Sequence, residues 1–273
     1  MTTIWKNKHI LITGAGSGIG QALARLFASQ GAQLILTDIN TDNLTRTAKE
    51  LGSSVLIYKT ADVTKKSDWL ALVKEIDSKV GYLDVLVNNA GMLSFGFFDE
   101  TSEALFNKVM DVNLNGVVMG CREMLPLLEK STRGMIVNVA SIFGLITMPL
   151  VTPYHASKFA VRGFTEALKQ DMIFSKKSID VICVMPGGIR TNIANYAEAD
   201  IKAPDHLGQH FAKVARTTPE QAAKTIEKGM RKKTFRVLIG ADAKLVDWLY
   251  RLLPTNYYKI SNPLMGVKKF LNQ

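Results

Sequence analysis

Short, nearly unbroken apolar runs alternate along this 273-residue chain with segments whose apolar residues recur at helical spacing. The runs predict seven buried strands, at residues 9–13, 33–37, 55–58, 83–87, 135–139, 179–184 and 235–239. The segments between them predict helices at residues 21–28, 41–51, 67–80, 102–130 and 152–175. Strands without polar alternation are typical of parallel sheets that are covered on both faces. The pattern therefore predicts an α/β fold: a doubly wound parallel seven-stranded sheet with helices on both faces.

A glycine-rich turn separates the first predicted strand from its helix and reads Gly14-Ala15-Gly16-Ser17-Gly18-Ile19-Gly20. Glycines here let the chain turn tightly, approach a pyrophosphate and pack the helix closely on the sheet. The N-terminus of the helix then faces the phosphate charge. The spacing Gly-x-x-x-Gly-x-Gly differs from the best-known fingerprint, Gly-x-Gly-x-x-Gly. Its position between a strand and a helix nevertheless predicts nucleotide binding.

Asp38 ends the second predicted strand, 18 residues beyond Gly20, and bears on the choice of cofactor. A carboxylate there can accept hydrogen bonds from an adenosine ribose but repels a 2′-phosphate. No arginine or lysine stands beside Asp38, and Ser17 adds no charge to the loop. The sequence therefore favours NAD, with NADP as the alternative. Asp62, at the end of the third strand, could hydrogen-bond the adenine or cap a turn.

Tyr154 and Lys158 are four residues apart and share one face of a predicted helix. An isolated tyrosine has a pKa of about 10 and is a poor base at neutral pH. A neighbouring cation favours the phenolate, so we expect Lys158 to lower the pKa of Tyr154. The pair is a candidate proton donor and acceptor.

Several of these features occur in an order that is typical of one family: Thr13 to Gly20, Asn88-Asn89-Ala90-Gly91, Asn113, Ser141, Tyr154 with Lys158, and Pro186-Gly187. In this combination the chain resembles the short-chain dehydrogenase/reductase family, from about His9 to Thr191 and weakly to Ile239. The resemblance implies a single-domain Rossmann fold, oxidoreductase activity and a nicotinamide cofactor. It also implies a homodimer or homotetramer, in which the helices at 102–130 and 152–175 often pair.

The resemblance also implies roles for four residues. Tyr154 would be the general acid for reduction and the base for oxidation, and Lys158 would hold the nicotinamide ribose. Ser141 would hydrogen-bond the substrate oxygen, and Asn113 would anchor a water that relays protons from Lys158. The implied cofactor-binding positions, besides Tyr154, Lys158 and Asp38, are Gly14, Ser17, Gly18, Ile19, Gly20, Asp62, Val63, Asn89, Ala90, Gly91, Pro186, Gly187, Ile189 and Thr191.

The side chains expected to face the substrate are strongly apolar, although about half of them could belong to the core. They are Met92, Leu93, Phe95, Ile142, Phe143, Leu145, Ile146, Met148, Leu150 and Val151. An apolar wall favours a lipophilic alcohol, ketone or aldehyde. Arg190 is the one charge nearby and could meet an anionic group or point to solvent. Within one domain spanning 1–273, residues 188–219 are predicted to form a substrate-loop insertion above the sheet.

The net charge of +10 is concentrated near the C-terminus. Residues 202–273 carry 14 Lys and Arg against 5 Asp and Glu, whereas residues 1–201 carry 20 against 19. Residues 241–273 form a basic extension, and 242–253 predict an amphipathic helix with Leu245, Trp248, Leu249, Leu252 and Leu253 on its apolar side. We expect this helix to pack on its own subunit or a neighbour; a lid or a membrane-surface contact is the alternative. The basic segment carries no recognisable nucleic-acid motif.

The remaining features favour a cytoplasmic protein without a metal. Cys121 and Cys183 lie in apolar segments and are expected to be buried, reduced thiols. The start of the chain has no apolar run followed by a cleavage site. His206 and His210 could share a helical face but have no apparent third ligand, so no metal site is expected. A dinucleotide-sensing protein without turnover is the alternative to an enzyme.

Overall fold

Seven parallel strands form one sheet in the computed structural model, which describes residues 4–194, 196–200 and 215–264. The strands are β1 (His9–Thr13), β2 (Gln33–Asp38), β3 (Val55–Thr60), β4 (Val85–Asn88), β5 (Gly134–Val139), β6 (Ile179–Pro186) and β7 (Arg236–Ile239). Their order across the sheet is β3-β2-β1-β4-β5-β6-β7, and each paired strand is parallel to its neighbours. The predicted seven-stranded parallel sheet is confirmed.

Helices connect the strands and cover both faces of the sheet. They are α1 (Gly18–Ser29), α2 (Thr41–Leu51), α3 (Lys66–Lys79), α4 (Glu103–Met110), α5 (Gly116–Glu129), α6 (Thr152–Phe174), α7 (Pro219–Arg231), α8 (Ala241–Leu252) and α9 (Tyr258–Leu264). The predicted helix at 102–130 consists of α4 and α5 joined by a π-helical turn, Asp111–Asn115. Hydrophobic periodicity does not reveal this turn, because the backbone stays helical on both sides of it.

Two details of the helices differ from the sequence-based prediction. The third helix was predicted to begin at residue 67, but α3 begins at Lys66, and Ser67 lies within it. Helix α7 was not predicted. Its signal is a capping box, in which the Thr218 hydroxyl accepts from the Gln221 amide and the Gln221 side chain accepts from the Thr218 amide.

Apolar side chains fill a layer on each side of the sheet. Alternate residues of β1 point to opposite faces, so Ile10 and Ile12 join one core cluster and Leu11 joins the other. Helices α1, α2 and α7 contribute to the first cluster, and α3, α5 and α6 contribute to the second. Cys121 and Cys183 are both buried free thiols, as predicted.

The strand order reverses between β2-β1 and β4, which places a crevice at the carboxyl ends of β1 and β4. Ligands of open α/β sheets bind at such a switch point. Residues 201–214 of the predicted insertion lie outside the described residues, and the division of the chain into domains stays a prediction. Within the described part of the chain, no helix combines the length and apolarity needed to cross a membrane.

Gly120 of α5 tests how closely the second layer is packed. A Cβ at this position would lie 2.4 Å from Asn88 Oδ1 and 2.8 Å from Trp69 Cη2. We therefore expect Gly120→Ala to lower the free energy of unfolding by roughly 1–3 kcal/mol, as overpacked cores do. Urea denaturation measures this change. The slope of the free energy of unfolding against urea concentration should stay the same in the variant.

Gly163 of α6 supplies the matched control, because a Cβ there meets nothing within 4 Å. Gly163→Ala should raise the free energy of unfolding by up to about 1 kcal/mol through helix propensity. Equal effects of the two substitutions would contradict the close approach of α5 to β4 and α3.

Candidate active site

The glycine-rich turn has the backbone shape that a close ligand approach needs. Gly14 and Gly18 adopt left-handed φ angles of 65° and 53°, where other residues are strained. A Cβ on Gly20 would lie 2.1 Å from the Gly14 carbonyl oxygen, so only glycine lets α1 begin this close to the end of β1. Gly14 and Gly18 line one wall of a cavity of about 500 Å³ at the β1–β4 crevice.

The Thr13 hydroxyl joins the carboxyl ends of β1 and β4. It accepts hydrogen bonds from the backbone amides of Asn89 and Ala90, each 2.9 Å long, and lies 3.4 Å from the Val87 carbonyl. The Asn89 side-chain amide donates in return to the carbonyls of Thr13 and Gly14. Sequence reasoning included Thr13 in the motif without a role. A buried hydroxyl at the end of an apolar strand needs hydrogen-bond partners, and this requirement could have indicated a linking role for Thr13.

Asp38 holds the glycine loop while lining the cavity. Its Oδ2 accepts from the Gly16 amide and its Oδ1 accepts from the Asn40 amide, both at 2.8 Å. Each carboxylate oxygen keeps a further lone pair for a ligand hydroxyl. The described lysines lining the cavity, Lys108 and Lys158, are engaged with other partners.

Asp62 has the turn-capping contacts that were one of its two expected roles. Its Oδ1 accepts from the backbone amide and the hydroxyl of Thr64, at 2.9 and 2.7 Å. Asp62 and Val63 also line the cavity, next to Ala61, whose amide donates to the Asp38 carbonyl. The structure therefore leaves Asp62 able to contact an adenine while it caps the turn.

Ser141 and Tyr154 meet at the inner end of the cavity. Ser141 follows β5, and its Oγ accepts from the Phe143 amide at 3.1 Å, which leaves its proton free to donate. Tyr154 lies in the first turn of α6, half-buried and hydrogen-bonded to Ser141. Burial raises the pKa of Tyr154 to about 12, although the hydrogen bond from Ser141 acts to lower it. The sequence predicted a lowered pKa for Tyr154. That prediction was wrong, because residue spacing does not reveal desolvation.

Lys158 is buried one turn further along α6. Its Nζ donates to the Val139 carbonyl at 3.0 Å and lies 5.5 Å from the centre of the Tyr154 ring. Burial lowers the pKa of Lys158 to about 8. A Cβ on Gly91 would lie 3.5 Å from Nζ and 3.1 Å from Asn113 Oδ1. Glycine at position 91 therefore allows the close approach of Asn113 Oδ1, while a Cβ there would only touch the ammonium group.

Asn113 is fully buried in the π-helical turn, behind the cavity wall. Its Oδ1 accepts from the Met92 amide at 2.8 Å, and its Nδ2 donates to the Met92 carbonyl and to Ser157 Oγ. These bonds fix the segment after β4 against α6. The predicted water relay from Lys158 through Asn113 stays a prediction.

A buried apolar cluster, which we name the apolar wall, lies beside Tyr154, and Met92 of the predicted substrate-facing set lines the cavity itself. Leu93, Phe95, Met148 and Val151 form a buried cluster that also packs against Phe143, Leu150 and Tyr154. Leu145 and Ile146 instead belong to the main core, so the predicted substrate-facing set is divided between wall and core. His155 anchors the loop in between, since its Nε2 accepts from the Met148 amide and its Nδ1 lies 3.1 Å from the Phe143 carbonyl.

Residues 196–200 cross the outer side of the cavity. Glu198 accepts from the Phe95 amide and donates to the Leu93 carbonyl through its own backbone. Its carboxylate pairs with Lys108 Nζ at 2.7 Å. Arg190 is exposed, and its Nε donates to the Ala215 carbonyl rather than lining the cavity.

The model of the short chain dehydrogenase family matches residues 8–202. The chain belongs to this family. Over 271 residues it is 40% identical to a Mycobacterium tuberculosis protein named SadH, covering 97% of each chain. It is 32% identical over 194 residues to a 3-alpha-(or 20-beta)-hydroxysteroid dehydrogenase of Mycobacterium bovis, covering 71% of this chain and 74% of that relative.

A crystal structure of a short-chain dehydrogenase/reductase from Burkholderia phymatum in complex with NAD has the same fold. It superposes with a TM-score of 0.83 at 29% identity, over 91% of this chain and 94% of that chain. The fold of this short-chain dehydrogenase thus extends past the region matched by the family model.

Nearly all the predicted site residues of this short-chain dehydrogenase line one cavity; Gly20 and Asn113 instead shape it from behind. The sequence did not single out several other lining residues, which are Thr37, Ile39, Asn40, Asn43, Ala61, Lys108, Val112, Val139, Ala140, Asn192, Ile193, Tyr196 and Glu198. Most of these directly follow a strand or lie in the segment after β6. A periodicity-based search gives such connecting residues no weight.

No group of His, Cys, Asp and Glu side chains suitable for a metal ion occurs among the described residues. His206 and His210 lie outside them.

The lowered pKa of Lys158 predicts a pH-dependent stability. Between pH 8 and 10.5, the unfolded chain keeps a proton that folded Lys158 has released. The contribution of Lys158 therefore makes the free energy of unfolding rise with pH through this window. We expect Lys158→Met to stabilise the protein by roughly 1–3 kcal/mol at neutral pH, with a gain that shrinks towards pH 10.5.

Urea denaturation across this pH range measures the effect. Lys74→Met, at an exposed position on α3, is the control and should follow the wild-type pH dependence. A Lys158→Met variant with the same pH dependence as the wild type would contradict a buried, strained ammonium group.

Proposed function

We propose that this short-chain dehydrogenase is an NAD-dependent oxidoreductase acting on a lipophilic alcohol and its ketone or aldehyde. The observation that carries the proposal is the hydrogen-bonded pair of Ser141 and Tyr154, with Lys158 beside it, between the crevice lined by the glycine turn and the apolar wall. Two hydroxyls and a buried ammonium group at the end of a nucleotide crevice form a proton-transfer site.

The cavity residues fit a nicotinamide dinucleotide. The glycine turn leads into the N-terminus of α1, whose first backbone amides have no partners within the helix, and a pyrophosphate would be held there. Asp38 would accept from the adenosine ribose, and Ile189 and Thr191 would hold the carboxamide at the other end. When bound, the cofactor supplies or accepts the hydride.

Side chains of the protein donate and accept the proton. With its high pKa, Tyr154 keeps its proton and can donate it to a substrate oxygen, while the Ser141 hydroxyl donates a second hydrogen bond. In the oxidation direction, the Lys158 ammonium would stabilise the phenolate that accepts the proton. The hydrogen bonds of Asn113 to Met92 and Ser157 hold α6, which carries Tyr154 and Lys158, against the segment after β4.

Two observations support the choice of cofactor and substrate class. Asp38 presents a carboxylate where a 2′-phosphate would lie, and the Burkholderia phymatum relative is complexed with NAD. The apolar cluster beside Tyr154 suits a lipophilic substrate, and the name of the Mycobacterium bovis relative describes a hydroxysteroid.

NADP is the alternative cofactor, and one contact favours it. The Arg46 guanidinium donates to Asn43 Oδ1 at 2.8 Å, and Asn43 lines the cavity close to Asp38. A rotation of this exposed arginine could bring its charge to a 2′-phosphate. The predicted homodimer or homotetramer stays a prediction in either case.

Tyr154→Phe tests the proton-transfer role. We expect turnover to fall by roughly 10²–10⁴-fold, because general acid–base catalysis contributes about that much, while NAD binding is retained. The assay follows nicotinamide absorbance with NAD and NADP over a panel of medium-chain and cyclic alcohols and ketones.

Tyr58→Phe, an exposed tyrosine on β3, is the matched control and should leave turnover unchanged. Unreduced turnover in Tyr154→Phe would overturn the role. NAD binding by the wild type without turnover on any substrate would favour a dinucleotide-sensing protein.

Asp38→Asn tests the cofactor preference. It removes the charge while keeping an acceptor for the Gly16 amide, so we expect the ratio of kcat/KM for NAD over NADP to fall at least about tenfold. Asp42→Asn makes the same charge change at an exposed position four residues away and should leave the ratio unaltered. A wild-type preference for NADP would contradict the reading of Asp38.

A further inference from the structure

Helix α8 has apolar residues on two sides, although the sequence predicted one packed side. Ala243 and Leu249 are buried, and Val246 and Tyr250 pack against the core. Of the five residues in the predicted stripe, only Leu249 is buried. The other four are exposed: Leu245, Trp248, Leu252 and Leu253.

Three of these residues form what we name the outer face of α8: Leu245, Trp248 and Leu252. They are exposed by 53%, 60% and 57%, and their spacing places them on one side of the helix. The turn and helix that follow expose Tyr258 and Ile260 as well. Large apolar side chains grouped in this way on a surface mark an interaction site.

Basic residues border the outer face. At 3.6 residues per turn, Lys244 and Arg251 lie within about 60° of Trp248 around the helix axis. Asp242 is engaged by the Gly188 amide, and Asp247 is largely buried between Arg236 and Arg251. Residues 241–273 contain five Lys and Arg against two Asp, so this end of the chain is basic.

We propose that the outer face of α8 docks on the surface of an anionic lipid bilayer. A helix with exposed Leu and Trp beside cations inserts its apolar side chains below the headgroups while the cations contact lipid phosphates. Tryptophan and tyrosine favour this boundary because their rings are apolar and their edges are polar. The face thus matches the chemistry of a lipid surface in both its apolar and its charged parts.

A second copy of the chain fits the outer face less well. A two-fold contact would place Lys244 and Arg251 of both copies in one interface, where their like charges repel. Stable protein interfaces also bury about 800 Å² on each partner, more than three half-exposed side chains provide. A bilayer needs neither a complementary shape nor a minimum area.

The helix that carries the outer face is tied to the cavity rim at its start, and the turn after it is tied to the loop of the apolar wall. Asp242, at the start of α8, accepts from the Gly188 amide at 2.7 Å, next to the lining residue Gly187. The Tyr257 hydroxyl, beyond the end of α8, lies 2.9 Å from Thr147 Oγ1 and accepts from the Thr147 amide. Thr147 belongs to the loop that carries Met148 of the apolar wall. Docking would therefore bring a store of lipophilic molecules near this wall, a link that rests on the proposed function.

Intrinsic fluorescence reports directly on docking. Trp5 and Trp69 are 5% and 1% exposed, so Trp248 is the exposed member of the chain's three tryptophans. We expect a blue shift of its emission, and co-sedimentation of the protein, with vesicles of phosphatidylglycerol and phosphatidylcholine in equal parts. Pure phosphatidylcholine vesicles should bind much less protein. Trp248→Phe should lose the spectral shift.

The double variant Leu245→Ser/Leu252→Ser tests which residues bind the vesicles. We expect its affinity for the mixed vesicles to fall at least about tenfold, since each leucine loses most of its transfer free energy. Leu70→Ser, which removes a leucine that is 48% exposed on α3, should bind like the wild type. Retained NAD binding shows that both variants are folded.

Three results would overturn the proposal: no binding of the wild type to the mixed vesicles, equal binding by the double variant, or wild-type oligomers that the double variant dissociates. The last would assign the face to contact between copies. Because the vesicles contain neither substrate nor cofactor, these outcomes do not depend on whether the protein turns over an alcohol.

Discussion

The burial of a lysine ammonium group beside a tyrosine is the constraint around which the site is built. Lys158 Nζ donates to the Val139 carbonyl and lies beside Gly91. The segment that carries Gly91 is in turn fixed by Asn113, which binds both backbone groups of Met92. Burial lowers the pKa of Lys158 and raises that of Tyr154, so both groups are driven towards their neutral forms. Such opposed shifts suit a site that exchanges a proton and cost the fold stability.

The fold was largely predictable because the sheet is covered on both faces. Its strands are nearly pure apolar runs, and the glycine turn marks the first βα connection. Helix α7 was missed, since small and polar residues interrupt its apolar face and its main signal is the capping box at Thr218. The π-helical turn at Asn113 was missed because one extra residue does not disturb the periodicity on either side.

The site was predictable in its residues more than in its electrostatics. Motif order identified the side chains that line the cavity, but spacing along a helix says nothing about desolvation. The expected lowering of the Tyr154 pKa by Lys158 was therefore wrong, because burial of Tyr154 raises this pKa. Hydrogen bonds between segments that are distant in sequence could not be predicted from residue spacing either. The Thr13 hydroxyl joins β1 to the segment after β4, and Glu198 joins the segment after β6 to Lys108.

Helix α8 shows why an amphipathic pattern alone does not decide which side of a helix is buried. Leu245, Trp248 and Leu252 are larger than Ala243 and Val246 and have the same i, i+3, i+7 spacing as the inward set of Ala243, Val246 and Tyr250, yet they face outward. Polar contacts on its inner side favour this orientation: the Asp242 carboxylate, at the start of the helix, binds the Gly188 amide, and Asp247, near its middle, pairs with Arg236 of β7. These contacts turn the smaller residues, Ala243 and Val246, towards the core. An exposed apolar face held in place by bonds to the cavity rim belongs to the architecture of the site, whatever surface covers it.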